Sequence, residues 1–416
     1  MNELLFKKNS RLPTSKLYDL VGGSRQNLHN TSLFNFVYID YWLISNNEIA
    51  FEVKVDERWY LWALPIFEHA GRNFSSFLEN GDWSRINYGL YLKRLNFRGM
   101  NETFKMKLRL GYLNEVVLYY KSADYNNRIS WGSALGYHVN NQVSYDIINN
   151  EPVYIKSNHA ILQQKWKSRF MLNYRHKFYH RHRLTLGHDA FHIKDTLAAL
   201  NPDYLPHGNT SLTYLNLAYT YNLDKRDNKS YPIKGSMVEG TIMQNGLGII
   251  SNSYSNLTFI LKFQHYGMIS NRLYYGWNMG GIMNTSDNKP LIVNSELGYN
   301  EFLNGYEYNV IDGTSFAYSK QKISFELIPT KTAYLNFIDL NQFSKFHYAL
   351  YLKAFADGGY AHKGNPGITN TLSNSFLYSY GIGLDLVTYY DKVVSLNYSI
   401  NKFGVSGFYI HLNLAM

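Results

Sequence analysis

Three stretches of the chain carry residue types that could do chemistry. In HKFYHRHR, residues 176–183, His176, His180 and His182 share one face of a strand. Neutral imidazoles that converge can hold a transition metal. Lys177, Arg181 and Arg183 crowd the same stretch with positive charge, which opposes a cation, so a basic lumen or loop stretch is the expected reading. Asp189 and His192 suggest an acid–base pair, but no nucleophile motif of the Gly-x-Ser-x-Gly type accompanies them. The glycines of NGLG, residues 245–248, could present backbone amides to a phosphate; without a following Lys-Ser/Thr they read as a plain turn. The sequence thus nominates no catalytic residue, no metal site and no cofactor.

The elements that hold these residues are alternating strands. Phe104, Met106, Leu108, Leu110 and Tyr112 make one apolar face, and Lys105, Lys107 and Arg109 between them are all cationic. That is period two over nine residues; a helix would mix the faces. The pattern recurs at residues 85–92, 257–264, 346–353 and 378–387, and in the final stretch Phe408, Ile410, Leu412, Leu414 and Met416 oppose Tyr409, His411, Asn413 and Ala415. Turn signals break the chain at 149–153, 201–210, 224–231, 285–290, 305–314 and 364–374.

Alternation alone also fits a soluble sandwich. Three features favour a membrane. The apolar faces run for about 9–11 residues, enough to cross a bilayer at a tilt. Aromatics stand near strand ends, and the 38 tyrosines suit a boundary where the ring is dry and the hydroxyl wet. The opposite faces carry too many Lys, Arg, His and Asn for a dry core, whereas a watery lumen accepts them. The net charge of +10 is dispersed and no nucleic-acid motif accompanies it, so it belongs mostly to that lumen and no nucleic-acid partner is expected. Mean hydropathy is -0.33 and no apolar run is long enough for a transmembrane helix, a test that a barrel escapes. The absence of cysteine excludes a disulfide framework and thiolate metal sites, and fits export to an oxidising compartment.

The fold class expected is all-β: a transmembrane antiparallel barrel of about sixteen strands over residues 67–416, preceded by a small incomplete α/β element over residues 1–66. In that element a helix-like stretch within residues 13–34 leads into strand-like runs at 36–43 and 48–55 around the turn Asn46-Asn47. Trp59 and Trp62 follow where it would meet the membrane, as interfacial anchors. The opening MNELLFKKNSRLP has no apolar signal core, so an exported chain is expected to have lost a leader or to be part of a longer one.

Four segments resemble the BamA/TamA family of outer-membrane barrel-assembly proteins. SRQNLHNTSLF at 24–34 with VKVDERWY at 53–60 is similar to the end of a POTRA module. RNF at 72–74 with NFRGMNE at 96–102 resembles the start of the family's barrel. DKRDNKSYPIKG at 224–235 resembles its mid-barrel turn, through Asp224, Arg226, Asp227, Tyr231, Pro232 and Gly235. LNGY at 303–306 with FADGG at 355–359 resembles the tip of its inturned loop and the strand that receives it.

The resemblance implies a bacterial outer-membrane barrel with its N-terminal element in the periplasm. It implies an insertion, assembly or translocation function without bond chemistry or nucleotide. Partners would be outer-membrane lipid, unfolded outer-membrane proteins and other subunits of an assembly complex. The first strand, near residues 84–95, and the last, near 407–416, would part at a seam marked by Asn87, Tyr88, His411 and Leu412, and an incoming strand would pair there. The family's loop arginine meets the strand aspartate; here Asn304, with Gly305 and Tyr306, faces Asp357. A bidentate charged pair becomes a hydrogen bond to a carboxylate; Lys353 could neutralise Asp357, though it lies four residues away along the strand. The chain ends Leu414-Ala-Met416 where the family usually ends on an aromatic. Asn304 and the incomplete POTRA-like element also support a second reading: a structural scaffold or passive channel.

Overall fold

A computed structural model describes residues 4–6, 11–12, 14–31, 33–69, 86–124, 128–250, 254–286, 290–293, 297, 301–334, 344–388 and 392–413. The N-terminal element has one helix, α1 (Leu17–His29), and a two-stranded antiparallel sheet of β1 (Phe34–Ser45) and β2 (Glu48–Glu57). Val21 and Leu28 lie two turns apart on α1 and pack with Phe6, Val37 and Ile39. The helix stops where the Asn30 amide donates to Gln26 and Leu28.

The rest is one antiparallel sheet of sixteen strands, each paired to its neighbour in sequence. In order these are β3 (Leu61–His69), β4 (Ile86–Phe97), β5 (Glu102–Gly111), β6 (Asn114–Lys121) and β7 (Ile129–Asn140). A two-stranded hairpin, β8 (Gln142–Ile148) and β9 (Glu151–Lys156), stands outside the sheet. Then come β10 (Gln163–His176), β11 (His180–Ile193), the short helix α2 (Asp195–Leu200), β12 (Ser211–Asp224), β13 (Gly235–Asn245), β14 (Asn256–Ser270) and β15 (Leu273–Asn284). The last five are β16 (Ser315–Tyr334), β17 (Lys345–His362), β18 (Leu377–Thr388), β19 (Lys392–Asn401) and β20 (Ser406–Asn413). The expected sixteen-stranded barrel architecture is thus present.

Period two sets the two faces. Tyr88, Leu186, Leu261 and Ile382 are 48–58% exposed on the outside, whereas inward residues such as Asp189, Asn216 and Asp385 are buried. The sheet curls far enough for Tyr231, in the turn after β12, to reach Asp385 on β18. No described helix is long and apolar enough to cross a membrane, which says nothing of crossing by strands.

The first strand differs from the sequence expectation. The sheet begins at β3, and the strand expected to be first, β4, is second. LWALPIF within β3 is apolar on both faces, so it gives no alternation, and Pro65 argues against a central strand. At an edge the missing proline N–H costs no ladder bond. The sequence boundary at 66/67 falls inside this strand. Arg72-Asn-Phe74, Ser84, Arg85 and Leu414-Ala-Met416 lie outside the described residues.

The ends of the barrel are covered differently. At the end bearing the N-terminal element, Asn30 Nδ2 donates to the Asp227 carbonyl (3.4 Å) and Lys229 Nζ to the Asn30 carbonyl (3.2 Å). On the same side Lys345 Nζ donates to the Tyr38 hydroxyl and lies 3.9 Å from the Phe36 ring centre. At the opposite mouth the loop expected at 149–153 narrows to the turn of β8 and β9, where Asn149 and Asn150 have φ of 55° and 61°, as a two-residue hairpin turn requires. Asn150 is tied to the β17–β18 loop: its amide donates to Asn370 Oδ1 (3.0 Å), and its Oδ1 accepts from the Leu372 amide (3.1 Å).

Candidate functional site

The loop between β15 and β16 turns inward. Its Leu303 and Tyr306 are at most 1% exposed and pack with Phe316, Tyr318, Ala361 and Leu377. Gly305 has φ +82° and passes so close to β19 that a Cβ would stand 3.3 Å from that of Asn401. At the tip, the Asn304 backbone N–H (3.0 Å) and Nδ2 (2.6 Å) both donate to Asp357 Oδ2. Strand parity with Tyr351 and Phe355 turns Asp357 inward.

β19 supports the tip with side-chain amides. Asn397 Nδ2 donates to Asn304 Oδ1 (3.1 Å), and Asn401 Nδ2 to the Gly305 carbonyl (2.8 Å). The Tyr306 hydroxyl donates to the Tyr378 carbonyl (3.1 Å). Further along, Glu307 meets His411 on β20 (3.3 Å), whose ring stacks on Phe302 at 4.9 Å. The loop therefore backs β18, β19 and β20 from inside.

Lys353 does not neutralise Asp357. Four residues along a strand is two side chains on the same face, too far to share one contact. Lys353 Nζ pairs instead with Asp385 Oδ1 (2.6 Å). The residue opposite Asp357 across the ladder is Lys320.

The turn from 224 to 235 is organised by its own acids and amides. Arg226 forks onto Asp224, Nε to Oδ1 and Nη2 to Oδ2 at 2.8 Å each, and reaches Gln264 Oε1 through Nη1 (2.7 Å). Asp227 Oδ1 accepts from the Asn228 (2.8 Å) and Ile233 (3.1 Å) amides, and Asn228 Oδ1 from Ser230 and Tyr231. These are local side-chain turns. Burial holds the Asp227 carboxyl above the usual carboxylate range, against the amides that favour its charged form. The turn delivers Tyr231 into the lumen beside buried Pro232, where its hydroxyl donates to Asp385 Oδ2 (3.0 Å) and its ring lies 4.8 Å from Tyr351. Lys322 Nζ stands 4.2 Å from the centre of the Tyr231 ring. Gly235, at φ +98°, ends the turn where a Cβ would stand 2.2 Å from the Lys225 carbonyl oxygen.

The four seam residues do not face one another. Asn87 and Tyr88 are on β4, inside the edge strand β3. Asn87 is buried, its Oδ1 accepting from the Leu113 amide (2.8 Å), while Tyr88 points outward. His411 faces the loop and Leu412 is outward on β20. Among the described residues no ladder joins β3 to β20.

The remaining chemical candidates separate as well. Asp189 and His192 are three apart on β11 and so take opposite faces. Asp189 is held inside by Arg169 Nη2, at 2.8 Å from each oxygen, and by Asn216. His180 and His182 share the outward parity of Leu184 and Leu186 and hydrogen-bond the Tyr221 and Tyr219 hydroxyls. His176 meets Tyr174 at 3.5 Å. Asn397, Asn401, Asp385 and Asn150 escaped the sequence reading. Inward parity was visible for Asp385 in β18 and for Asn397 and Asn401 in β19, and Asn150 sits in a turn, but their partners lie dozens to hundreds of residues away.

The molecule is a sixteen-stranded barrel sheet with an N-terminal α/β element and an inturned loop hydrogen-bonded to a lumen aspartate. No family model matches the chain, and no curated sequence matches it. Solved structures do. BamA from Haemophilus ducreyi lacking POTRA domains 1–3 is 13% identical, with a TM-score of 0.57 over 99% of this chain and 79% of that one. CdiB from Escherichia coli is 9% identical, with a TM-score of 0.58 over 99% and 72%. CdiB from Acinetobacter baumannii is 11% identical, with a TM-score of 0.50 over 99% and 70%. What is shared at these identities is the fold: this chain has the barrel of the BamA and CdiB type.

Proposed function

We propose that the chain is a bacterial outer-membrane barrel that assembles or translocates other proteins through a lateral seam between β3 and β20. Its N-terminal element would lie in the periplasm. The observation that carries the reading is the pair of edge strands that share no ladder among the described residues, in a sheet otherwise laddered throughout. An edge strand offers unpaired N–H and C=O groups, and a strand-forming substrate can take them up by β-augmentation. The inturned loop holds the inner face of β20 through Phe302, Glu307 and Tyr308, so the edge is presented rather than frayed. The substrate's own folding and its burial in lipid would drive the process, with no bond made or broken. Lipid, unfolded outer-membrane proteins and further assembly subunits are the partners this mechanism implies. The likeness to BamA and CdiB supports it.

The test is a disulfide lock in this cysteine-free chain. Cysteines are placed at Ala63, outward on β3, and in turn at Ile410 and Leu412 on β20. The seam reading expects the oxidised barrel to stop assembling outer-membrane proteins in cells and to resume on reduction. Normal assembly with the seam fully crosslinked would instead mark a passive scaffold or channel.

A further inference from the structure

At the end of the barrel covered by the N-terminal element lies a cavity of about 620 Å³. Its walls are the inward faces of β4 to β7 and β10 to β13, and its floor is the last turn of α1 with Asn30 and Thr31. Ten lysines and arginines line it, against three carboxylates. The excess is not an average over the lumen: higher up the same strands, Lys107 and Arg109 share Glu115, and Arg169 has Asp189.

The cations are also set against one another. Lys93 is directly opposite Lys105 across the β4–β5 ladder, and Arg175 directly opposite Arg181 across β10–β11. Like charges in these positions destabilise a sheet. What neutralisation exists is incomplete. Lys121 has Asp124 at 3.4 Å and Arg226 has Asp224, but Arg183 Nε meets only the neutral Asn173 (2.8 Å), and Lys105 the ring of Tyr119. Among the described residues no carboxylate pairs with Lys93, Lys105 or Arg128. Several fixed cations converging on one volume of small-molecule size are the arrangement that binds a multiply charged anion.

We infer that this chamber is a binding site for a small polyanion bearing two or more phosphate groups. Phosphate oxygens match both the Arg183 guanidinium and the point charges of Lys93 and Lys105, with Arg175 and Arg181 adding to the field of the chamber. A single carboxylate would leave most of this charge unanswered. The same chemistry is offered by a free phosphorylated solute and by a phosphorylated lipid headgroup. The inference needs only the cavity and its charges, not an opening seam.

The experiment titrates the purified full chain, in zwitterionic detergent, with inorganic tripolyphosphate by calorimetry. Saturable binding to one site is expected, weakening steeply when salt is raised to roughly 0.3 M. Affinity should fall about tenfold or more in K93Q/K105Q, since each lysine contributes a charged hydrogen bond. It should fall less in R128Q, at the rim, and stay unchanged in K167Q, whose lysine lies higher in the lumen. If the double variant does not fold, K93Q alone and R128Q carry the comparison. Competition by micelles doped with cardiolipin, whose headgroup carries two phosphates, would assign a lipid headgroup as the source; competition only by soluble phosphates would assign a free solute. The inference falls if tripolyphosphate does not saturate, if K167Q loses as much affinity as K93Q, or if hexaglutamate displaces tripolyphosphate at lower concentration than cardiolipin or pyrophosphate does.

Discussion

Replacing Asn304 by alanine should release the tip of the inturned loop while leaving the barrel standing. The substitution removes the 2.6 Å bond from Nδ2 to Asp357 and takes from Asn397 the acceptor that it reaches at 3.1 Å. The Asn304 backbone N–H still donates to Asp357, so the carboxylate keeps one partner from the loop. A hydrogen bond to a charged group is worth about 1.5–3 kcal/mol and a neutral one about 0.5–1.5. The closed loop should therefore lose about 2–4 kcal/mol, a shift of roughly 30- to 700-fold in its opening equilibrium. Amide hydrogen exchange in lipid reads this directly. The Asn304, Tyr306 and Ile311 amides, bonded to Asp357, Leu303 and Leu297, should exchange faster by that factor. The β18–β19 ladder is the internal reference and should be unmoved. Unchanged exchange at all three amides would show that the loop is held by its apolar packing alone. Equal acceleration in the ladder would show that Asn304 supports the whole barrel.

Three further outcomes follow from the mid-barrel turn. Y231F removes the donor to Asp385, which keeps Lys353 and Ser395, and should lower unfolding stability by about 1.5–3 kcal/mol in a urea titration. R226K should not substitute for arginine: a lysine cannot fork onto Asp224 and also reach Gln264, and a loss of about 1–2 kcal/mol is expected, read by the same titration. D227N keeps an oxygen for the Asn228 and Ile233 amides and removes a titration. Because burial raises the Asp227 carboxyl in the fold, its contribution is most favourable below its unfolded pKa and is lost as pH rises through the raised folded value. The urea midpoint of D227N relative to the parent should thus climb from acid to neutral pH; a flat difference would refute the assignment.

Strand alternation made the sheet legible. Wherever one face met lipid-like surroundings and the other did not, as in the Lys105–Lys107–Arg109 series, parity alone assigned the faces. It failed at β3, where Trp62, Leu64 and Ile66 make the face opposite Lys93 and Tyr91 as apolar as the other, and where proline mimics a break. The candidate loop and turn were nameable through motifs. Their partners were not: Asp385 is 154 residues from Tyr231, and Asn397 is 93 from Asn304. Parity says that a residue faces inward but not what stands across the lumen. Lys353 illustrates this, since sequence offered it one acid and pairing of β17 with β18 supplied another.

The hairpin of β8 and β9 has a mechanical corollary. A fully laddered ring resists widening all round, but a ring cut between two strands has no hoop stiffness at the cut. The bonds from Asn149 and Asn150 to Thr369, Asn370, Thr371 and Leu372 stretch a chord across the upper rim, between wall segments more than 200 residues apart. Among the described residues the ties at the lower rim run through the N-terminal element and through Tyr231, which reaches Asp385. Loss of this chord would free the two wall segments to part at the upper rim while the lower rim kept its own ties.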